Sequence, residues 1–334
     1  RYDEADSVYE LSIEISERSL GAQSPVLAHA LNNRANLYCR LGRYAEAQAC
    51  QARAISILEG ALGPEHPEVA KFRCDEGRIY AYSGEVDSAL DSYEKYIDMS
   101  QKYLENVFPY SSEEQKLRWI HKYPLSDAAL YSLALKCQKS EATSLALEML
   151  LKSKAMVIEA VMAERQAVYC HYDDEVLAEL DRLNEINEQI AGLSMGGGYY
   201  RDSVVYLYKV RDSLEVELSR HCSEFSDALA ARRFELKDVV LSVPEGSVLW
   251  EYTRYEPRDL DLSVKGDDKI GKARYLAFTV EHGGRVGIHD LGDAGLIDSL
   301  ILSARGLLDN PGQVYSAAAV RSEQRLSNIT SQLY

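Results

Sequence analysis

Cysteine and histidine are the side chains of this chain best suited to nucleophilic chemistry, and their spacing argues against a catalytic pair. A cysteine nucleophile needs an imidazole that can take its proton. Cys170-His171 and His221-Cys222 are sequence neighbours on predicted helices, where adjacent side chains do not face each other. His282-Gly283 falls in a predicted hairpin turn, which favours a structural role. No catalytic residue is therefore identified.

The sequence also predicts no metal site, no disulfide and no phosphate-binding loop. The cysteines form no CxxC pair, and no Cys/His spacing matches a zinc site. We therefore expect reduced thiols, no metal and no cofactor. The glycines at 196–198 are followed by no Lys-Ser/Thr and preceded by no strand, so they indicate a plain loop between helices.

The composition is that of a globular protein with an acidic balance. The chain has 334 residues, of which 46% are hydrophobic and 27% charged, and its formal net charge is −16. That charge disfavours nucleic-acid binding. It suits either plain solubility or a preference for basic partners. No apolar run approaches the ~18 residues that a membrane helix needs, and no signal peptide is visible, so we expect a cytoplasmic protein.

A repeat of 42 residues is the strongest pattern in the sequence. Tyr38 recurs as Tyr80 and Gly42 as Gly84, while SLGAQSPVLA at 19–28 aligns with ALGPEHPEVA at 61–70. The glycines suit a tight turn between helices, and the prolines of the linker suit a helix start. Small residues recur where two antiparallel helices must approach closely: Ala35 and Gly77, Ala47 and Ala89.

These positions resemble the tetratricopeptide repeat, in the longer form with an LGPxHP linker that is typical of kinesin light chains and many bacterial repeat proteins. The chain starts without Met, inside the second helix of a copy, so we expect a fragment with further repeats before Arg1. After about residue 105 the register decays, because Lys122, Ser126 and Tyr131 stand where Tyr, Gly and Ala would recur.

The resemblance implies a binding groove lined by the first helix of each unit. The side chains that would line it are Asn32, Asn36 and Arg40 in one copy, and Arg78 and Tyr82 in the next. Asn and Arg can hold an extended peptide backbone or a carboxylate. Exposed polar residues also need no special purpose, and that alternative stays open.

Beyond the repeats, apolar spacing predicts helices over 111–170 and a helical hairpin with arms at 173–192 and 201–234. Strands are predicted at 248–255, 274–280 and 285–292, with an exposed loop at 257–272. Helices follow from about 294 to 308 and from about 317 to the end. The fold class is therefore mainly α, with a partial α/β segment at the end.

The order of these elements after the repeats, with SVLWEYTRYE, RYLAFTV and RVGIHDLG as strands, resembles the region that enters a CHAT domain, a caspase-like fold. On that resemblance the chain divides into repeats (1–104), a degenerate continuation (105–170), a long hairpin (171–236) and the non-catalytic start of the CHAT domain (237–334). In this family a His-Gly motif and a later Cys supply the catalytic dyad, an order that this chain lacks because all six cysteines precede His282. Some members of the family serve prokaryotic defence, one of them beside a CRISPR effector.

Two hypotheses follow. The first is the regulatory, protein-docking portion of a TPR–CHAT cysteine protease, with a protein or peptide in the groove and a CRISPR effector complex as one candidate partner. The alternative is a non-enzymatic adaptor that binds peptides. An enzyme complete within this chain is disfavoured by the missing dyad.

Overall fold

The computed structural model of the protein describes residues 2–107, 113–162, 174–195, 235–261 and 270–308, with the short stretches 203–204, 206–211 and 213–214. The helices that precede the sheet are α1 (Tyr2–Leu20), α2 (Pro25–Leu41), α3 (Tyr44–Leu62), α4 (Pro67–Ser83), α5 (Val86–Val107), α6 (Glu113–Lys122), α7 (Ala128–Cys137), α8 (Ser140–Met162), α9 (Asp174–Met195) and α10 (Leu236–Ser242). Strands β1 (Val248–Tyr255), β2 (Arg274–Glu281) and β3 (Val286–Asp293) follow, and then α11 (Ala294–Leu308).

The glycines and prolines of the repeat mark helix ends, as the sequence predicts. Gly42 and Gly84 adopt the left-handed conformation, with φ of 75° and 83°, at the ends of α2 and α4. A residue with a Cβ is strained there, whereas glycine is not. Pro25 and Pro67 open α2 and α4, where a missing N–H does no harm. Each 42-residue unit is therefore a helical hairpin, and the predicted array is confirmed.

The small residues lie where helices approach most closely. Ala35, Ala47 and Ala89 are fully buried. At Gly77 on α4 a Cβ would lie 3.0–3.1 Å from ring carbons of Tyr93 on α5, closer than carbon atoms normally pack. The Tyr93 ring, itself fully buried, thus occupies the space that the missing side chain leaves. The hairpin packs at this distance because residue 77 is glycine.

Neighbouring hairpins are joined by buried polar contacts as well as by apolar packing. The Gln51 amide on α3 donates a hydrogen bond of 2.7 Å to the carbonyl oxygen of Phe72 on α4. Arg73 on α4 pairs with Glu59 on α3 at 2.7 Å. These contacts link the second helix of one unit to the first helix of the next, which fixes the spacing along the array.

Past the point where the sequence register decays, further helices pack against the repeats. Trp119 on α6 stacks against Tyr103 on α5, with ring centroids 5.2 Å apart. The next helix to pack against α4 is α7, which begins at Ala128. A 42-residue step from Pro67 leads instead to Pro109, outside the described residues. The described helix within that step is α6, whereas the helix that packs on α4 is α7.

The predicted helical hairpin is described mainly in its first arm. Helix α9 continues to Met195, past Gly192 where we predicted its end, since a single glycine costs a helix only about 1 kcal/mol. The described stretches of residues 203–214 are helical. The rest of the second arm and the glycines at 196–198 lie outside the described residues. Helix α10 was not predicted, although a capping box formed by Glu235 and Asp238 marks its start.

The three strands form an antiparallel sheet in the order β1-β2-β3, close to the predicted bounds. One face packs on the helices: Tyr131 of α7 meets Tyr255 and Phe278 edge to face, at centroid distances of 6.0 and 6.2 Å. On the other face, Tyr275 donates a 2.7 Å hydrogen bond to Asp298 of α11. The sheet is thus a small layer with helices on both sides. The helix predicted from about 317 lies outside the described residues.

The loop between β1 and β2 is not wholly exposed, contrary to our prediction for 257–272. Leu260 is buried, and Arg258 is half-buried and bridges to Ile270. The chain after β1 turns back onto α7, where Leu260 finds an apolar site. Residues 262–269 lie outside the described part of the chain.

Candidate functional site

A cavity of about 750 Å³ lies between the inner helices of the array and the end of β1. Its size is in the range of pockets that take a ligand or several side chains. One wall comes from α2, α4 and the start of α7, and the other from the chain on either side of the β1–β2 loop. The lining residues are Asn36, Cys39, Arg40, Arg78, Ile79, Tyr82, Ser126, Asp127, Ala128, Arg254, Tyr255, Glu256, Arg258, Ile270 and Ala273.

Helix α2 contributes two of the three residues predicted from its copy of the repeat. Asn36 and Arg40 are one helical turn apart, so they share a face and both line the cavity. Asn32 lies one turn earlier but is buried and not among the lining residues. Its side-chain carbonyl oxygen accepts no hydrogen bond from the described residues. The structure therefore separates Asn32 from the other predicted residues.

Helix α4 contributes both predicted residues, Arg78 and Tyr82, again one turn apart. Tyr82 is largely buried, and burial raises its pKa to about 12. Its hydroxyl is therefore neutral near pH 7 and can both donate and accept a hydrogen bond. Four of the five residues predicted from sequence thus line one cavity.

Asp127 orders the centre of the cavity, and sequence reasoning missed it. Its Oδ1 accepts a 2.7 Å hydrogen bond from the Ala129 amide and so caps α7. Its Oδ2 accepts hydrogen bonds from Arg78 Nε at 3.0 Å and Nη2 at 2.6 Å. Asp75 also pairs with Arg78, at 2.9 Å. The attraction of Asp127 raises the pKa of Arg78 above its usual value, so the guanidinium is charged and held in place.

The second wall is attached to α7 by its backbone. Ser132 Oγ accepts a 2.8 Å hydrogen bond from the Arg258 amide, and Lys136 Nζ donates one of 2.9 Å to the Leu260 carbonyl. Lys154 of α8 also pairs with Glu251 of β1. These contacts fix the segment that carries Arg254, Glu256 and Arg258 opposite the repeats. In sequence this segment is more than two hundred residues from α2, and no local signal predicts that the two line one cavity.

The remaining groups considered from sequence do not form a second site. His282 lies in a turn, as predicted, and its Nδ1 is 2.7 Å from the Val243 carbonyl oxygen. Cys170-His171 and His221-Cys222 lie outside the described residues. Across the residues that the structure does describe, no cluster of three His, Cys, Asp or Glu is arranged to hold a metal ion, and no helix is long and apolar enough to span a membrane.

Comparison with known families bears on the first wall of the cavity. The tetratricopeptide repeat family model matches residues 26–102, which covers nearly all of α2 to α5. No curated protein matches the chain. The match and the hairpin geometry agree, so this segment is an array of tetratricopeptide repeats. Arrays of this kind generally bind proteins or peptides, so residues 26–102 have the architecture of a protein-interaction scaffold.

Proposed function

We propose that the cavity is the docking site for a peptide segment of a partner protein, and that this docking is the function of the chain. The observation that carries the proposal is that Asn36, Arg40, Arg78 and Tyr82 line one cavity large enough for several side chains. Three residue types there can bind a peptide: an amide, guanidinium groups and a neutral phenol. Asn pairs with both N–H and C=O of an extended backbone, and Arg binds carboxylates and carbonyls.

We further propose that the chain is the regulatory portion of a caspase-like TPR–CHAT cysteine protease in prokaryotic defence. Support comes from the order of elements: repeats, helices, a long helical segment, and then a sheet with helices on both sides. A peptide in the cavity would touch the repeats and the segment after β1 together. Docking would therefore bias the position of the three-stranded sheet relative to the repeats, and through the sheet it would control a protease domain. A CRISPR effector complex is one such partner, and the cytoplasm is the compartment this role requires.

The alternative is a non-enzymatic adaptor, in which docking is the whole function. Both proposals share the cavity, and they differ in what the parent gene encodes. A His-Gly motif followed by a Cys downstream of Tyr334, with cleavage abolished by substituting that Cys with Ala, supports the protease. A parent protein that lacks this pair, or that shows no cleavage dependent on it, supports the adaptor.

The docking proposal is tested by selecting peptides from a random display library on the immobilised protein. Affinities of the selected peptides are then measured by fluorescence anisotropy. We expect Asn36→Ala with Arg40→Ala to weaken binding by about tenfold or more, since each loses a hydrogen bond to the peptide. The control is Arg18→Ala, whose side chain is 78% exposed on α1 and outside the cavity. Selected peptides that bind both variants equally well would contradict the proposal.

A further inference from the structure

Strand β1 carries a row of exposed apolar side chains on the face of the sheet that is turned away from α7. Val248, Trp250 and Tyr252 alternate along the strand, and all three are exposed. The rings of Trp250 and Tyr252 lie at an interplanar angle of 15°, with centroids 6.2 Å apart. These side chains therefore form one contiguous apolar patch, and patches of this kind mark surfaces that another element covers.

The strand register places α11 on the same face as this patch. Tyr252 pairs with Ala277 of β2, and Tyr275 lies two residues before Ala277, so its side chain is on the same side of the sheet. The Tyr275 hydroxyl donates its hydrogen bond to Asp298 of α11, and α11 packs on β2 and β3. One helix thus lies over two of the three strands, and the side chains of β1 stay exposed beside it.

Helix α11 is also apolar beyond the side that faces the sheet. Ala294 and Ile297 are buried, whereas Leu296 and Leu302 are exposed. At about 100° per residue, these two leucines lie on opposite flanks of the buried side, so whichever flank faces β1 is apolar. Neighbouring strands lie about 4.8 Å apart and packed helices about 8–10 Å apart, so a helix beside α11 on that side would lie over β1. Such a helix would cover the β1 patch and an apolar flank of α11 together.

The sequence that follows α11 supplies a segment with the required pattern. Residues 317–334 lie outside the described part of the chain, and their apolar spacing predicts a helix. Leu326, Ile329 and Leu333 recur at steps of three and four residues. One face of the predicted helix is therefore apolar, whereas the opposite face carries serine, asparagine and glutamine.

A short link ties this segment to α11. Eight residues, 309–316, separate it from Leu308, and they include Pro311 and Gly312, which favour a turn. Connections of this length typically join neighbouring antiparallel helices. The tether also gives the segment an effective concentration in the millimolar range, which favours it over a separate partner.

We propose that residues 317–334 pack as a helix beside α11 and over β1, with their apolar face on Trp250 and Tyr252. This occupant is chosen because its apolar stripe, its length and its tether all match the uncovered position. The proposal does not rest on the docking function of the cavity. It makes this face of the sheet an internal packing surface of the chain.

The test places benzoylphenylalanine at Tyr252 of the full chain and irradiates an equal mixture of isotope-labelled and unlabelled protein. Mass spectrometry then maps the adducts. We expect them to join position 252 to residues 317–334 of the same molecule. Leu326→Glu with Ile329→Glu should lower their yield by about tenfold or more, because docking would bury two carboxylates against aromatic rings.

The matched control is Ser327→Glu with Ser331→Glu, which adds the same charge to the polar face of the predicted helix and should leave the yield unchanged. Circular dichroism checks that both double variants keep the folded repeats. Adducts that join labelled to unlabelled molecules would assign this face to a second copy. Adducts confined to other segments, or none at all, would leave residues 317–334 without this role. Either result overturns the proposal, as does an equal yield from the two double variants.

Discussion

Asp127 joins the start of α7 to Arg78 of α4, and removing its carboxylate should destabilise the protein far more than removing an exposed carboxylate. The Asp127 side chain is 4% exposed and that of its partner Arg78 is 33% exposed. Loss of one member of a fully buried pair costs about 3–5 kcal/mol, because the other charge is left without compensation. The partial exposure of Arg78 and its second contact with Asp75 reduce that cost to about 2 kcal/mol. Loss of the α7 cap adds about 1 kcal/mol.

We therefore expect Asp127→Ala to lower the free energy of unfolding by about 3 kcal/mol. Asp127→Asn keeps a capping side chain and loses the charge, so it should cost about 2 kcal/mol. The assay is urea unfolding followed by circular dichroism. The matched control is Asp91→Ala, since Asp91 is 61% exposed in its pair with Lys95 and should contribute less than about 0.5 kcal/mol.

A double-mutant cycle with Arg78→Ala isolates the pair itself. We expect a coupling free energy of about 2 kcal/mol between positions 78 and 127. An Asp127→Ala variant that unfolds like Asp91→Ala would refute the reasoning. So would additive effects in the cycle, because they would mean that the ion pair does not contribute to stability.

Two further predictions concern the repeat itself. Gly77→Ala should lower the free energy of unfolding by about 1–3 kcal/mol, because the new Cβ would meet the buried Tyr93 ring. Gly192→Ala on α9, where a Cβ would have no atom within 4 Å, should instead be stabilising. Urea unfolding checks both variants, and equal effects would contradict the packing argument. Burial lowers the pKa of His66 in the folded protein to about 4, below its usual value of 6.5. Between these two values only the unfolded chain binds a proton at this residue, so stability should fall by about 2 kcal/mol as the pH drops from about 7 to about 5. His66→Asn, which keeps an acceptor for the Glu68 amide at the start of α4, should remove that part of the pH dependence, and an unchanged slope would count against it.

The sequence predicts the repeat hairpins well because their determinants are local. The helix ends at Gly42 and Gly84 need a residue that tolerates the left-handed conformation, and the helix starts at Pro25 and Pro67 tolerate a residue without an N–H. The close approach of α4 and α5 needs a residue without a side chain at Gly77. Each requirement acts within one hairpin and recurs at a fixed step, so the pattern is visible without the structure. The same locality explains why four of the five residues predicted for the groove line one cavity.

The parts that were missed depend on contacts between distant segments. Asp127 precedes α7, and its role depends on how α7 packs against α4 after the period is lost. Arg258 looks like an ordinary charged residue just after the end of a strand. Its place in the cavity lining depends on Tyr131, Ser132 and Lys136 of α7, which hold the end of β1 and the segment after it. Contacts of this kind follow from the assembled fold, and no spacing in the sequence encodes them.

The central claim, that the cavity between the repeats and the sheet is the docking site, is tested most directly by photo-crosslinking. Benzoylphenylalanine is placed at Asn36 and Arg258, which line the cavity, and as controls at Arg18 and at Trp250, which is 46% exposed on the outer face of the sheet. Docking in the cavity predicts adducts of the selected peptide from positions 36 and 258, and none from 18 or 250. Adducts from position 250 in the absence of those from 36 and 258 would place docking on the outer sheet face and contradict the proposed site.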